Sequence, residues 1–458
     1  MGCNTAAATH VYDNAKERGG PARYTRLAGR AQSGAMTTTT LAVSPDHSRH
    51  WRAVAAASIG NALEWFDFVV YGFFAVTMAK LFFPTGNETV SLLVALGTFG
   101  VTFFMRPLGA IVLGSFADLH GRRAALTLTI ALMMLGTAVI AVVPTYSSIG
   151  LAAPVLVVLA RMIQGFSAGG EFGSATAFLA EQNPERRGFF SSWQFASQGL
   201  TTILATAFGA TLAGVLTTEQ LDAWGWRIPF LFGLLIGPVA YYIRRHTDET
   251  IEFRSTRTSA SPLREAVSGS KQRLLIAFGT VILCTVAMYT VLFMPTFATR
   301  QLGLPASGSF VASLLTGAIQ VVLIPIVGHI SDRHGRLPIA FVSAVAMLLA
   351  IYPMFVWLQA SPTLPTLLVV QAIIGVLLAG YMGGLAALMS ELFPTRLRTT
   401  GLSVSYSFGV AIFGGFAPFI NAWLIELTGN KTAPSFYLML AAMISIAALI
   451  AARRLGCK

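Results

Sequence analysis

Five ionisable residues interrupt long apolar stretches in the first half of the chain, and their types suit binding an anion and moving a proton. They are Glu64, Asp67, Arg106, Arg161 and Glu171. Stretches of this length and apolarity cross membranes, and an ionisable group in mid-bilayer costs about 2.5–3.5 kcal/mol on insertion scales. Each of the five is therefore expected to have a function.

Arg106 and Arg161 are candidates for binding an anionic substrate. Arginine keeps its proton in proteins, and its planar fork matches a carboxylate bidentately. The alternative for Arg106 is a structural ion pair with Glu64 or Asp67, and Arg161 has the same two interpretations. Gln164, in the same motif as Arg161, is a further candidate for substrate binding, with proton coupling or helix packing as alternatives there.

Glu64 and Asp67 are spaced i and i+3, so they lie on one face of a predicted helix. Asn61 and Tyr71 extend this face into a polar stripe and are candidates for substrate contacts. Burial favours the protonated form of a carboxyl group, whereas a nearby arginine favours the ionised form, and proton coupling needs this competition. We predict Asp67 or Glu64 as the proton carrier, with Glu171 second and permanent salt bridges as the alternative.

Further polar and aromatic side chains are candidates for lining a cavity. Gln194 and Gln198 are spaced i and i+4 beside Ser197, which suits either hydrogen bonds to a substrate or contacts between two helices. The apolar stretches of the second half have no charge near their middle, so its candidates are uncharged: Gln371, Tyr381, Tyr406 and Asn421.

The elements that must position these residues are membrane-spanning helices. The chain is 55% hydrophobic and 11% charged, against roughly 25% charged in an ordinary soluble domain. Twelve stretches approach the roughly 20 apolar residues that cross a bilayer as a helix. The sequence therefore predicts an all-α integral membrane protein with spans near residues 53–79, 89–117, 124–143, 150–181, 188–215, 226–243, 273–299, 308–330, 337–358, 364–392, 400–425 and 433–452.

Two short motifs occur twice, which indicates two similar halves. GSFADLHGRR, from Gly114 to Arg123, returns as GHISDRHGR from Gly328 to Arg336. A second motif, E-x-x-P-x-R, begins at Glu181 and again at Glu391. Halves related in this way are a transporter architecture, with the substrate path between them.

The repeat and the composition together predict the domain organisation. Residues 51–243 and 273–454 are expected to form two six-helix bundles, joined by a charged loop at 244–272. Residues 1–50 are a polar extension that is expected to be disordered, and Met36 is the hypothetical true start.

The first repeated motif is predicted to be a gate. A carboxylate beside arginines across a tight turn suits a charge-assisted clasp that is made in one conformation and broken in another. The alternative is a solvated turn whose charges only set topology. The residues of the two clasps are Asp118, Arg122 and Arg123 in the first half and Asp332, Arg333 and Arg336 in the second.

The net charge of +12 indicates topology rather than a nucleic-acid partner. Most of the Lys and Arg residues fall in the termini and alternate loops, which predicts both termini on the cytoplasmic side. Three scattered cysteines, Cys3, Cys284 and Cys457, support neither a disulfide framework nor a metal site. We find no nucleotide-binding loop and no nucleophile–base pattern, so an enzyme and a cofactor other than a coupling proton are not expected.

Several long motifs resemble those of a known family. They are GNALEWFDF (60–68), FFMRPLGAIVLGSFADLHGRR (103–123), RMIQGFSAGGEFG (161–173), ERRGFFSSWQ (185–194) and WGWRIPFL (224–231). Over residues 52–454 the chain resembles the major facilitator superfamily, and within it the metabolite:proton symporters of citrate, α-ketoglutarate, shikimate and proline/betaine. The resemblance implies twelve transmembrane helices in two pseudo-symmetric halves, and proton-driven import by alternating access. We expect a monomer in the cell membrane.

The pair of arginines favours a di- or tricarboxylate such as citrate or α-ketoglutarate, because a polyanion needs more than one positive partner in a site of low dielectric constant. The alternatives are a zwitterionic osmolyte (proline or betaine) and a shikimate-like monocarboxylate, with a membrane sensor as a remote third. Arginines predict an anion, but they do not predict its carbon skeleton.

Overall fold

A computed structural model describes the backbone of residues 47–120, 122–169, 171–245 and 270–456, and it places most of the side chains within these ranges. The extension that contains Met36, most of the loop 244–272, and both Cys3 and Cys457 lie outside the described residues.

The described residues are helical almost throughout, and no strand occurs among them. In the first half the helices are α1 (His47–Phe73), α2 (Ala75–Phe82), α3 (Glu88–Phe104), α4 (Arg106–His120), α5 (Arg122–Val142), α6 (Tyr146–Ile149), α7 (Ala152–Ser167), α8 (Glu171–Glu181), α9 (Arg187–Val215), α10 (Thr218–Gln220) and α11 (Arg227–Arg245). In the second half they are α12 (Lys271–Leu302), α13 (Ala306–His334), α14 (Arg336–Ala360), α15 (Leu364–Leu392), α16 (Thr395–Gly409), α17 (Ala417–Thr428) and α18 (Ala433–Arg454).

Each predicted membrane stretch coincides with one helix or with two consecutive helices. Within the described ranges, nine helical runs are long and apolar enough to cross a membrane. A tenth forms if Ala57–Phe73 and Ala75–Phe82, bent by 64°, count as one span, and Thr127–Val142 is a shorter apolar helix. The remaining stretch, near 226–243, coincides with α11.

In four of the predicted spans the helix is interrupted, and two of these breaks lie beside the candidate site. The break between α3 and α4 falls directly before Arg106, where Pro107 lacks the N–H that would continue the helix. The break between α7 and α8 falls beside Gly169, in the glycine-rich segment before Glu171. Breaks of this kind are tolerated in a membrane where neighbouring helices and side chains satisfy the freed backbone groups.

Helices α3 and α4 pack directly against α7 because glycines allow their backbones to approach. A Cβ atom on Gly165 would lie 1.8 Å from the carbonyl oxygen of Thr102, and one on Gly109 would lie 1.8 Å from that of Phe166. Small residues at such crossings are the usual means of close helix packing in membranes. This crossing brings the helix that begins with Arg106 against the helix that carries Arg161.

We expect Gly165→Ala to lower the thermal unfolding temperature of the detergent-solubilised protein, because the added methyl group forces the two backbones apart. Overpacking of this kind costs about 1–3 kcal/mol. Gly214→Ala in α9 is the matched control, since a Cβ atom there meets nothing within 4 Å and alanine favours a helix. Equal unfolding temperatures for the two variants would contradict the close crossing.

Candidate substrate and proton site

Arg106 lies at the start of α4 in an aromatic surrounding, with 2% of its surface exposed. Its guanidinium carbon is 4.6 Å from the centre of the Trp65 ring and 5.6 Å from those of Phe68 and Phe103. Its Nε and Nη1 atoms have no hydrogen-bond partner among the described residues. Aromatic faces therefore surround this cation, and no ion pair with Asp67 occurs among the described contacts.

Arg161, in α7, is completely buried. Its Nη1 donates to the side-chain oxygen of Gln164 at 2.9 Å and to the backbone carbonyl of Asp67 at 3.3 Å. The ring of Tyr71 lies 4.4 Å from the guanidinium carbon. In the part of the chain that the structure describes, the Nε and Nη2 atoms of Arg161 have no partner. Arg161 therefore contacts the backbone carbonyl of Asp67. Its Nε and Nη2 atoms could donate further hydrogen bonds.

The second half contributes Tyr289, which sequence analysis missed. This residue of α12 packs its ring against Phe99 at 5.6 Å and Phe103 at 5.1 Å, the two rings that lie beside Arg161 and Arg106. The Tyr289 hydroxyl group is buried without a partner among the described residues. The available signal was a single tyrosine in an otherwise apolar stretch.

Tyr289 also lines a space between the halves, which we call the central cavity. Helices α1, α9, α12 and α13 line it with residues that include Phe73, Thr202, Met288, Leu292 and Gln320.

Asp67 is held by a chain of hydrogen bonds that ends at Arg161. The hydroxyl group of Thr137 donates to Asp67 Oδ2 at 2.5 Å, and Gln164 Nε2 donates to Thr137 Oγ1 at 2.9 Å. The side-chain oxygen of Gln164 accepts a hydrogen bond from Arg161 Nη1. Asp67 Oδ1 has no hydrogen bond among the described groups. Thr137 was not predicted from the sequence, because a single threonine in an apolar helix is not distinctive.

The three predicted proton carriers line one cavity inside the first half, which we call the side cavity. Glu64, Asp67 and Glu171 contribute to its wall, together with residues of α5, α7 and α11 that include Met133, Ser167 and Gly233. The structure thus brings together three carboxyl groups from α1 and α8.

Of the predicted glutamines in α9, Gln194 joins two helices and Gln198 is buried next to Tyr406. Gln194 Nε2 donates to the side-chain oxygen of Asn61 at 3.1 Å, and Asn61 Nδ2 donates to Ser197 Oγ at 2.7 Å. The Gln198 amide is buried, and the Tyr406 side chain is its polar neighbour in the described part of the chain. Tyr406 stacks on Phe172, with ring centres 3.4 Å apart.

Several other predicted residues form contacts within one half. The hydroxyl group of Tyr71 donates to the Ala95 carbonyl at 3.3 Å, and that of Tyr381 donates to the Thr280 carbonyl at 2.7 Å. In the second half, Gln371 donates to Ser313 Oγ at 3.1 Å and Asn421 donates to Thr290 Oγ1 at 3.2 Å. The described contacts do not bring Tyr381 or Gln371 to either buried arginine.

The second repeated clasp joins the two halves. Asp332, at the end of α13, accepts hydrogen bonds from the backbone N–H groups of Gly188 at 2.7 Å and Phe189 at 2.9 Å. These groups open α9, where a carboxylate satisfies free donors and interacts favourably with the helix dipole. Arg336 pairs with Asp332 at 3.3 Å, whereas Arg333 is exposed. The side chains of Asp118, Arg122 and Arg123 lie outside the described residues.

The second repeated motif forms ion pairs that cross between the halves near Asp332. Glu181 pairs with Arg398 at 3.0 Å, with side chains only 9% and 8% exposed. Glu391 lies 3.8 Å from Arg187 and 3.0 Å from Arg336. We call this region the gate end; at the opposite end Glu88 pairs with Arg300. Ion pairs therefore join the halves at both ends, and the arginines lie between them.

Comparison with known proteins gives consistent results. The family model described as Major Facilitator Superfamily matches residues 57–324 and 309–456. The citrate-proton symporter of Salmonella typhi is 38% identical over 400 residues, covering 86% of this chain and 92% of that protein. The alpha-ketoglutarate permease of Escherichia coli (strain K12) is 32% identical, covering 93% and 99%. The proline/betaine transporter of the same strain is also 32% identical, covering 88% and 83%.

Among solved structures, the xylose transporter of E. coli in a partially occluded inward-open conformation aligns with a TM-score of 0.69. It is 15% identical, and the alignment covers 88% of this chain and 97% of that one. This similarity shows that the two proteins share a fold.

Glu181→Gln is expected to open the gate end, because it leaves the largely buried Arg398 without its carboxylate. Breaking a buried pair by removing one partner costs about 3–5 kcal/mol. Spin labels on cysteines that replace the exposed residues Glu185 and His334 should show a shift to longer distances by pulsed electron paramagnetic resonance.

Glu88→Gln is the matched control for this experiment, because its pair lies at the opposite end and its side chain is 82% exposed. Exposed pairs contribute about 0–1 kcal/mol, so the distances at the gate end should stay unchanged. A Glu181→Gln distribution identical to that of the parent protein would show that this pair does not hold the gate closed.

Proposed function

The chain belongs to the Major Facilitator Superfamily, and we propose that it is a proton-coupled symporter that imports a di- or tricarboxylate such as citrate or α-ketoglutarate. It is a multi-pass membrane protein with the fold of this superfamily, and its relatives are transporters rather than enzymes. The substrate, the coupling site and the orientation are the proposed parts.

One observation carries the proposal: two buried guanidinium groups, from Arg106 and Arg161, each with two nitrogens that lack a partner among the described residues. Burying a charge costs several kcal/mol unless it is paired and hydrogen-bonded. Nearby aromatic faces offset only part of this, at about 0.5–2 kcal/mol per cation. A bound polycarboxylate would supply what is missing, and two relatives carry citrate or α-ketoglutarate in their names.

We assign the substrate contacts in two layers. Arg106 and Arg161 bind carboxylates, while Gln198, Tyr406 and Tyr289 offer uncharged contacts from either half. A surrounding layer of Asn61, Tyr71, Gln164 and Gln194 holds these groups in place through the contacts described above, whereas Tyr381 is bonded to the Thr280 carbonyl and is not assigned to this layer.

Asp67 is the proposed proton carrier, with Glu64 and Glu171 on the wall of the same cavity. A carboxylate of the substrate at Arg161 neutralises the positive charge that otherwise favours ionised Asp67, so Asp67 takes up a proton. Release of the anion reverses this preference and returns the proton. Anion and proton therefore travel together.

Alternating access would follow from opening one set of ion pairs while the other stays closed. We place the gate end and both chain termini at the cytoplasmic face of the cell membrane, because the basic residues cluster there. The clasps at Asp118, Arg122 and Arg123 and at Asp332, Arg333 and Arg336 are the proposed gates, together with Glu181 and Arg398. A monomer suffices for this cycle.

A zwitterionic osmolyte such as proline or betaine is the second candidate, since other relatives are named for those substrates. A quaternary ammonium group is commonly bound by a cage of aromatic faces. Here the faces of Trp65, Phe68 and Phe103 surround the guanidinium group of Arg106. This arrangement favours an anion over a quaternary ammonium compound.

The proposal is tested by uptake into proteoliposomes under an imposed inward proton gradient. Labelled citrate, α-ketoglutarate, shikimate and betaine are offered in parallel, with a protonophore as control. We expect citrate or α-ketoglutarate to accumulate and the protonophore to abolish the accumulation. Accumulation of betaine alone would contradict the anion site.

Arg106→Lys should lower uptake of the transported anion, because a point charge replaces a planar fork. A hydrogen bond to a charged group is worth about 1.5–3 kcal/mol, so the loss should be roughly tenfold or more in uptake rate at low substrate concentration. Arg227→Lys is the matched control, since Arg227 also lies over an aromatic ring, that of Trp226 at 4.3 Å, but near the opposite end. Normal uptake by Arg106→Lys would remove the role assigned to Arg106.

A further inference from the structure

We propose that the coupling proton reaches Asp67 through the side cavity inside the first half, apart from the substrate space between the halves. We further propose that Thr137 and Gln164 are the positioning residues that transmit the state of Arg161 to Asp67. This inference rests on the proposed function, and the experiments below separate the failure of one from the failure of the other.

The two cavities share no lining residue among those described. Helices α1, α5, α7, α8 and α11, all of the first half, line the side cavity, whereas the central cavity lies among α1, α9, α12 and α13. Helix α1 contributes to both. Its residue Asp67 lines the side cavity, while Val69 and Phe73 line the central cavity.

Asp67 is placed to exchange a proton with the side cavity. Only 6% of its surface is exposed, and its Oδ1 has no hydrogen bond within the described residues. The backbone of Gly233 approaches from α11, where a Cβ atom would lie 2.1 Å from Oδ1, so glycine leaves this oxygen room. The charged or titratable groups around it are Glu64 from α1, Arg161 from α7 and Glu171 from α8. Residues of α5 and α11 that line the cavity are uncharged.

The hydrogen-bond chain is complete in both protonation states of Asp67. When Asp67 is ionised, Thr137 donates its single proton to Oδ2 and accepts from Gln164. When Asp67 is protonated, its hydroxyl group donates to Thr137 Oγ1, and Thr137 turns its proton to the Met133 carbonyl at 3.1 Å. A hydroxyl group has one proton and two acceptor positions, so both arrangements satisfy it.

This geometry explains how an anion bound outside the side cavity can affect a proton inside it. Arg161 Nη1 contacts Gln164 and the Asp67 backbone, and the described contacts show no direct pair with the Asp67 carboxylate. A substrate carboxylate that draws the Arg161 fork towards itself weakens the bond to Gln164. Gln164 and Thr137 then reorient, and the protonated arrangement of Asp67 is favoured. Anion and proton are coupled without sharing a space.

The first test compares exchange with accumulation of citrate in proteoliposomes. Thr137→Val should keep exchange of labelled for unlabelled citrate at equal pH, since exchange needs no net proton movement. Its proton-driven accumulation should fall roughly tenfold or more, because the carboxylate loses its donor. Thr137→Ser should restore accumulation, and Asp67→Asn is the uncoupled reference.

Thr206→Val is the matched control, because the Thr206 hydroxyl group is buried and donates only to carbonyls of its own helix in the described contacts. Accumulation by Thr137→Val equal to that of the parent protein would overturn the relay. Loss of exchange together with accumulation would also overturn it, since Thr137 would then be needed for transport itself.

The second test asks whether the two cavities are separate. In a variant without native cysteines, Met133→Cys reports on the side cavity and Thr202→Cys on the central cavity. Modification by a small positively charged methanethiosulfonate is measured with and without citrate. We expect citrate to slow modification at Thr202→Cys by several-fold and to leave Met133→Cys unchanged.

Equal protection by citrate at both positions would show one shared space, and no modification of Met133→Cys would show that the side cavity does not open to water. Either result overturns the separate route. If the parent protein exchanges no citrate, no α-ketoglutarate and no other organic acid, the proposed function fails first. If it does exchange them and Thr137→Val couples normally, only the relay fails.

Discussion

The rest of the structure depends on the burial of two guanidinium groups, each with two nitrogens that have no partner in the described part of the chain. Arg106 lies among aromatic rings, and Arg161 has one amide and one carbonyl as partners. An arginine cannot escape this cost by losing its proton. A bound anion that supplied the missing negative charge, as proposed for the substrate, would stabilise this arrangement around itself.

The two halves contribute differently to this arrangement, although their helices follow one plan. The first half holds the ionisable groups of the candidate site, and the second half adds uncharged groups such as Tyr289. At the gate end the relation is reciprocal, since Glu181 pairs with Arg398 and Glu391 lies near Arg187. Charges of each half thus pair across the contact between the halves, which makes this contact a natural place for a two-state change.

Relatives with one fold are named for tricarboxylate, dicarboxylate and zwitterionic substrates. A fold of this kind does not decide the substrate, and the side chains of the site do. In this chain the aromatic faces around Arg106 are occupied by its own cation, and the Tyr289 hydroxyl group has no partner among the described residues. A transporter for a different substrate would require different residues at these positions.

The sequence by itself determined the class of protein, the positions of the helices and the residues most costly to bury. Helix length, hydropathy and the cost of a charge in lipid are properties of single segments, and they need no knowledge of neighbours. For the same reason Arg106, Arg161 and Asp67 were recognisable one at a time. In the sequence, only Pro107 and the nearby glycines indicated the helix breaks beside Arg106 and Glu171.

Only the tertiary structure decided which of these residues meet. An ion pair of Arg161 with the Asp67 carboxylate was one expectation, but Arg161 contacts the backbone of Asp67, and Thr137 holds the carboxylate. The Asp332 clasp was expected within its own turn, but it also caps α9 of the other half. Such contacts depend on the rotation and crossing of helices far apart in sequence, and no local pattern of residues encodes them.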